Sequence, residues 1–142
     1  MGWKLSNDTA ALLHAIYTAY REKRLVDVMA HLAPDFRFVV HLPEAALPGG
    51  DKVRNLEETR EILQYLIETY DFVAYDPGPI IASAGRATVQ PHIRFRDKKS
   101  GKLLETQLAH VWRFKDGKAA ELDERHDVLK ILAFLKSVAE PV

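Results

Sequence analysis

His110, Glu124 and His126 are the residues of this chain with both the type and the spacing to move a proton. They lie in two runs, Thr106 to Phe114 and Lys118 to Asp127, joined at Lys115-Asp116-Gly117. In the first run Thr106, Leu108, His110, Trp112 and Phe114 alternate with Gln107, Ala109, Val111, Arg113 and Lys115. A period of two is that of a half-buried strand. In the second run Glu121, Asp123, Arg125 and Asp127 can only face water, which leaves Ala120, Leu122, Glu124 and His126 facing in. A carboxylate beside an imidazole orients the ring and raises its basicity, so His110 with Glu124 can abstract a proton next to a carbonyl. His126, on the same face, would hold a substrate oxygen or return the proton. Ionisable groups on an inner face are costly unless satisfied, so a polar network or a cavity is implied. Two histidines and a carboxylate can also form a facial metal set, but strand spacing is not specific to one. Neither a metal nor a cofactor is expected.

The hairpin tip decides whether the two inner faces coincide. A two-residue Asp116-Gly117 turn puts even positions opposite odd ones and points Glu121 and Asp123 at the core. A three-residue Lys115-Asp116-Gly117 loop, with Gly117 left-handed in a bulge, pairs Phe114 with Lys118 and keeps even with even. The second is expected, because it alone matches both patterns. His110 then lies opposite Leu122 and diagonal to Glu124, within reach of long side chains.

These arms need a body to hold them. At 142 residues the chain is long enough for one domain that buries a core without cross-links. Lys+Arg 20 against Asp+Glu 20 leaves no net charge, which argues against nonspecific nucleic-acid or anionic-membrane binding. The absence of cysteine excludes disulfides, thiol catalysis and thiolate metal sites. No run is long and apolar enough to span a bilayer, and the start lacks a signal peptide's layout, so a cytoplasmic location is expected. Met1 to Ser6 does fit a myristoylation pattern, one short enough to arise by chance.

Ser6 or Asn7 can cap a helix over Asp8 to Lys23, with Leu13, Ile16, Tyr17 and Tyr20 on one stripe. A short second helix runs from about Leu25 to Leu32 and stops before Pro34. Phe36 to Leu42 reads as a strand with Phe36, Phe38, Val40 and Leu42 inward, followed by a long loop over Pro43 to Asn55. A third helix covers Leu56 to Tyr70, its buried stripe formed by Ile62, Leu63, Leu66, Ile67 and Tyr70. Strands then follow at Phe72 to Tyr75, Ile80 to Ser83 and Arg86 to Arg96, and Val128 to Val138 closes the chain as a helix. Pro91 removes a ladder donor from its strand and belongs at an edge or a bulge. Helices first and a meander after give an α+β fold, with a curved antiparallel sheet wrapped around the helices.

Tyr17, Phe38, Val40, Trp112 and Leu122 are core residues by pattern. His41 falls on the polar parity at a strand end, at the cavity mouth or in solvent. His92 shares a face with Gln90, Arg94 and Arg96 that is solvated or a dimer interface. Arg94 to Lys102 is a basic hairpin tip, read as a solvated turn given the overall charge balance. His14 and His31 lie on helix surfaces or ends.

Three segments resemble the nuclear transport factor 2-like fold, a cone of helices and a curved sheet around a pocket. Arg24 to Phe36 looks like that family's second helix leading into its first strand, and His41-Leu42-Pro43 like the His-Asn-Pro of SnoaL-like proteins. His110 to Glu124 looks like the closing hairpin. The resemblance spans nearly the whole chain and implies one SnoaL-like domain over residues 1–142, with three N-terminal helices and a short C-terminal one. In such a cone Tyr17, Phe38, Val40, Trp112 and Leu122 would line the cavity and make it aromatic and dry, suited to a planar or alicyclic ligand. SnoaL-like polyketide cyclases use a histidine and an aspartate on adjacent strands of that hairpin. His110 falls on the histidine and Glu124 on the aspartate. In ketosteroid isomerases an oxyanion-binding aspartate falls where His110 stands, the general base falls on Val40, and the donor tyrosine falls near Ile16, beside Tyr17. Valine supplies no base, so that chemistry is not expected. Limonene epoxide hydrolase-like sites need an Asp-Arg-Asp set, whereas Arg94 and Asp127 fall on polar faces. The resemblance therefore implies cofactor-free cyclase- or isomerase-type acid–base chemistry on a small hydrophobic carbonyl compound, in a homodimer formed through the outer sheet face. The alternative is a non-catalytic domain that binds a hydrophobic ligand or serves in association.

Overall fold

The structure is a computed structural model and describes residues 6–140; the lipidation pattern that begins at Met1 lies outside them. Helix α1 (Ser6–Arg21) starts earlier than the pattern predicts, and the expected Ser6 or Asn7 cap lies outside the described side chains. Its apolar stripe buries Leu13, Ile16 and Tyr17. Helix α2 (Leu25–Ala30) ends at His31, and strand β1 (Leu32–His41) begins at once. The strand therefore starts four residues before Phe36 and contains Pro34. Phe36, Phe38, Val40 and Leu42 face inward, as their alternation requires.

The segment from Pro43 to Asn55 is more ordered than an open loop. Strand β2 (Val53–Arg54) pairs antiparallel with β1. The buried Arg54 guanidinium donates to the carbonyls of Pro48 at 2.6 Å, Gly50 at 3.1 Å and Lys52 at 3.3 Å. Helix α3 (Leu56–Thr69) then opens with a capping box: Asn55 accepts from the Glu58 amide and Glu58 accepts from the Asn55 amide. That arrangement satisfies two helix-end donors reciprocally.

Seven strands follow: β3 (Tyr70–Asp76), β4 (Ile80–Ser83), β5 (Arg86–Val89), β6 (His92–Asp97), β7 (Leu103–Gln107), β8 (Ala109–Lys115) and β9 (Lys118–Arg125). Helix α4 (Val128–Ala139) closes the chain, capped by the Asp127 side chain. The runs Arg86 to Arg96 and Thr106 to Phe114, expected as single strands, are each broken. Pro91 lies between β5 and β6 and accepts from the amide of Leu108, which lies between β7 and β8. The long hairpin is creased there, and its two halves fall in different sheets. One is six-stranded in the order β2-β1-β9-β8-β5-β4; the other is three-stranded in the order β3-β6-β7. Pairing is antiparallel except between β1 and β9, which run parallel. Among the described residues no helix is long and apolar enough to cross a membrane.

The tip of the β8–β9 hairpin corrects the expected loop. Asp116 and Gly117 both have positive φ, 52° and 77°, and Lys115 pairs directly with Lys118. This is the two-residue turn whose twist matches antiparallel strands. Parity is restored one step later by a bulge: Phe114 faces Ala119, Arg113 faces Glu121, and Ala120 is left over. Even positions thus meet even positions as the patterns demand, but in a register one pair further along. Trp112 faces Leu122 and His110 faces Glu124; His110 is not opposite Leu122.

Candidate active site

The strand register puts Glu124 between His110 on β8 and Val40 on β1, all on the inner face of the six-stranded sheet. Directly opposed residues have side chains close enough to touch. His110 Nε2 lies 2.7 Å from Glu124 Oε1. His126, in the short link between β9 and α4, places its own Nε2 2.9 Å from Glu124 Oε2. On the far side of His110, Nδ1 lies 2.6 Å from the Tyr17 hydroxyl, which also accepts from Trp112 Nε1 at 2.9 Å. Tyr17 comes from α1 and stacks on the His110 ring at 8° between planes. Side-chain exposure is 2% for His110, 15% for Glu124 and 11% for His126, so the network is shielded from bulk water.

Donor and acceptor capacities orient this chain. An indole N–H can only donate, so Tyr17 oxygen accepts from Trp112 and its own proton is free for His110 Nδ1. His110 then carries its proton on Nε2 and donates to one oxygen of Glu124. The Nε2–H of His126 donates to the other. One atom is left over: His126 Nδ1 is buried without a hydrogen-bond partner. Burial opposes the charge on Glu124, but the His126 ring and the hydrogen bonds from His110 and His126 outweigh it. The carboxyl is held well below the ordinary carboxylate range. Burial, helped by the nearby Glu124 charge, pushes the Tyr17 hydroxyl far above the usual phenol range in spite of the Trp112 hydrogen bond.

Two apolar lobes meet at this network. One, of about 90 Å³, is walled by residues including Phe38, Val40, Phe95 and Phe134 and reaches Glu124 and His126. The other, of about 70 Å³, reaches Tyr17, His110, Trp112, Leu122 and Glu124. Phe38, Tyr20, Tyr75 and Glu124 border both. The three expected proton-transfer residues are thus brought together, and Tyr17, Phe38, Val40, Trp112 and Leu122 all line the interior. Tyr20 and Tyr75 were not foreseen. Tyr20 shares the helical stripe of Tyr17, a signal available in the sequence, whereas Tyr75 sits in a short strand with no chemical pattern around it.

The remaining polar candidates lie elsewhere. His41 is on the outer sheet face, its Nε2 3.0 Å from Asp123, and not at the cavity. His92 pairs with Glu105 at 3.0 Å on an exposed face. Asp127 serves as the cap of α4.

The network makes two quantitative demands. Tyr17→Phe strips a partner from both His110 Nδ1 and Trp112 Nε1, and buried groups left unpaired cost about 1–3 kcal/mol. Urea unfolding should show a loss of that size; a loss below about 0.5 kcal/mol would mean the hydroxyl is not bound as described. Glu124 has a folded-state pKa below its unfolded one, so the stability it confers is complete above the ordinary carboxylate range and is lost as pH falls through and below it. The stability gap between wild type and Glu124→Gln should therefore narrow between about pH 6 and pH 3 in denaturation midpoints. A gap that stays constant over that range would contradict the depressed pKa.

Other chains share the fold. A provisionally named isomerase from Rhodopseudomonas palustris superposes with a TM-score of 0.79 at 10% identity, covering 92% of this chain and 96% of that one. An NTF2-like protein of unknown function from Burkholderia pseudomallei gives 0.77 at 22% identity, covering 89% and 96%. IdmH of Streptomyces antibioticus, provisionally named a polyketide cyclase, gives 0.73 at 19% identity, covering 89% and 97%. At these identities the likeness is one of fold. No curated protein matches the sequence. The SnoaL-like domain matches residues 13–122, from the buried stripe of α1 to the inner face of β9, and the chain belongs to that family.

Proposed function

We propose that this protein is a cofactor-free, cyclase- or isomerase-type enzyme that performs acid–base chemistry on a small hydrophobic carbonyl compound. The observation that carries the reading is an apolar cavity lined by Glu124 and His126, with His126 Nδ1 buried and without a hydrogen-bond partner behind its wall. Both oxygens of Glu124 already accept hydrogen bonds, and its low pKa makes it a weak base. His110 has both ring nitrogens engaged. The hydrogen bonding therefore favours His126 as the base, Glu124 as the group that orients it, and His110 with Tyr17 as the brace behind Glu124. That reverses the ranking expected from sequence, in which His110 and Glu124 were the acid–base pair and His126 the auxiliary.

In this scheme the entering ligand uncovers Nδ1, which is sealed in the free protein, and Nδ1 takes a proton from the carbon next to the carbonyl. The C–H electrons pass into the enolate, and the charge rests on its oxygen. The resulting imidazolium, stabilised by Glu124, returns the proton to the enolate at the same or another carbon. Atoms and charge balance without an oxidant or a reductant. The neighbours provisionally named as a polyketide cyclase and an isomerase fit chemistry of this class. A second reading, a binding domain without turnover, is favoured by the saturation of Glu124.

Deuterium exchange separates the two. Panels of cyclic ketones incubated with the protein in D₂O should gain deuterium beside the carbonyl, and His126→Ala should lower the rate by about 10²-fold or more. Ketones that bind without exchange above buffer would leave only the binding reading.

We also infer a homodimer through the outer face of the six-stranded sheet. The register aligns Ile81, Thr88 and Val111 in one row across β4, β5 and β8, and Ile81 is 72% exposed. Sedimentation should find a dimer that Ile81→Asp splits; a monomeric wild type at micromolar concentration sinks this idea.

A further inference from the structure

The cavity holds phenols of two kinds. Tyr17 is fully engaged, accepting from Trp112 and meeting His110. Tyr20 and Tyr75 border both lobes, and neither hydroxyl has a hydrogen-bond partner among the described residues. Nor are these two oxygens among the buried polar atoms sealed off without a partner, so each borders open space. Their rings meet edge-on, with centroids 5.5 Å apart and planes at 88°, and Tyr75 packs against Tyr17 at 6.0 Å. Both are thus held next to the Glu124 network.

A buried phenol usually finds a partner, and a buried donor left unpaired is costly. Burial pushes both hydroxyls far above the ordinary phenol range, so they remain protonated and can only act toward an anion or carbonyl as donors. Apart from Tyr17, Tyr70, His110, Glu124 and His126, the lobes are lined by aliphatic and aromatic residues, and both oxygens of Glu124 are already occupied. An occupant is therefore asked for an apolar body and an oxygen acceptor.

We propose that Tyr20 and Tyr75 are the oxygen-recognising donors of the cavity, and that its ligand is an aromatic or alicyclic ketone, or the matching enol, whose oxygen accepts from one or both phenols. This rests on the reading of the cavity as a ligand site and adds the group that the site reads. During proton abstraction the same donors would face the oxygen on which negative charge develops, where a hydrogen bond strengthens most.

The test uses two probes with the same ring system, 1-tetralone and tetralin, which differ in the carbonyl oxygen. Amide chemical-shift titrations are run on the whole protein as wild type, Tyr20→Phe, Tyr75→Phe and the double variant, with the melting temperature of each free protein recorded. The ketone should bind wild type at least about ten-fold more tightly than the hydrocarbon. In the double variant the two affinities should fall within about two-fold of each other, with tetralin unchanged. Free Phe variants should melt at or above the wild-type temperature, because only unpaired donors are removed. Equal affinity of wild type for both probes overturns the proposal while leaving the cavity a ligand site. Lower melting of the Phe variants overturns it too, since the hydroxyls would then be structural. If neither probe binds, the proposal falls together with the reading of the cavity.

Discussion

The buried carboxylate of Glu124 is the constraint around which the interior is arranged. A lone ion in an apolar interior is prohibitive, and the usual escape is to take up a proton. Here both oxygens accept from imidazoles instead, and the carboxyl stays ionised. The demand then passes outward. His110 can donate from Nε2 only if Nδ1 is otherwise satisfied, which calls for the Tyr17 hydroxyl, and Tyr17 needs Trp112. One acid on β9 thereby specifies partners on β8 and α1. Only His126, at the other end, leaves a nitrogen uncommitted.

The polar chain is built into an otherwise apolar wall, and the sheet supplies the geometry. Because β1, β9 and β8 are adjacent, inward residues fall into rows: Phe38, Leu122 and Trp112 in one, Val40, Glu124 and His110 in the next. The first row is dry and the second carries the charge. The crease at Pro91 and Leu108 turns the lower half of the long hairpin into a second sheet, which brings Ile93, Phe95 and Leu104 to the far wall of the same cavity.

Much of this was legible from alternation alone. The inward sets of β1 and β8, and the set Leu122, Glu124 and His126, follow from period two, and the stripe of α1 from period 3.6. Where the reading failed, the missing information was non-local or chemically silent. Lys115-Asp116-Gly117 is compatible with two loops, and the bulge that decides between them falls at Ala120, whose methyl group expresses no preference for a face. Nothing in Phe36 to Leu42 announces a parallel neighbour more than eighty residues away. Pro91 marked an interruption, but its role as a sheet-to-sheet corner depends on the Leu108 amide across the hairpin. Residue type picked out His110, Glu124 and His126, which the register brings into contact, whereas which ring nitrogen lacks a partner could be read only from the structure.

The parallel contact between β1 and β9 has a kinetic consequence. It joins the first long strand to the last, with Val40 beside Glu124, and Tyr17 must cross 93 positions of sequence to reach His110. Contacts of such separation demand that most chain entropy be surrendered before they give any return, which slows folding and delays their formation. The local hairpins β4–β5, β6–β7 and β8–β9 have no such handicap. A nascent or partly folded chain can thus hold most of its ladders while Glu124 is still in water, and the buried hydrogen-bond network comes into being only when the two ends of the domain have met.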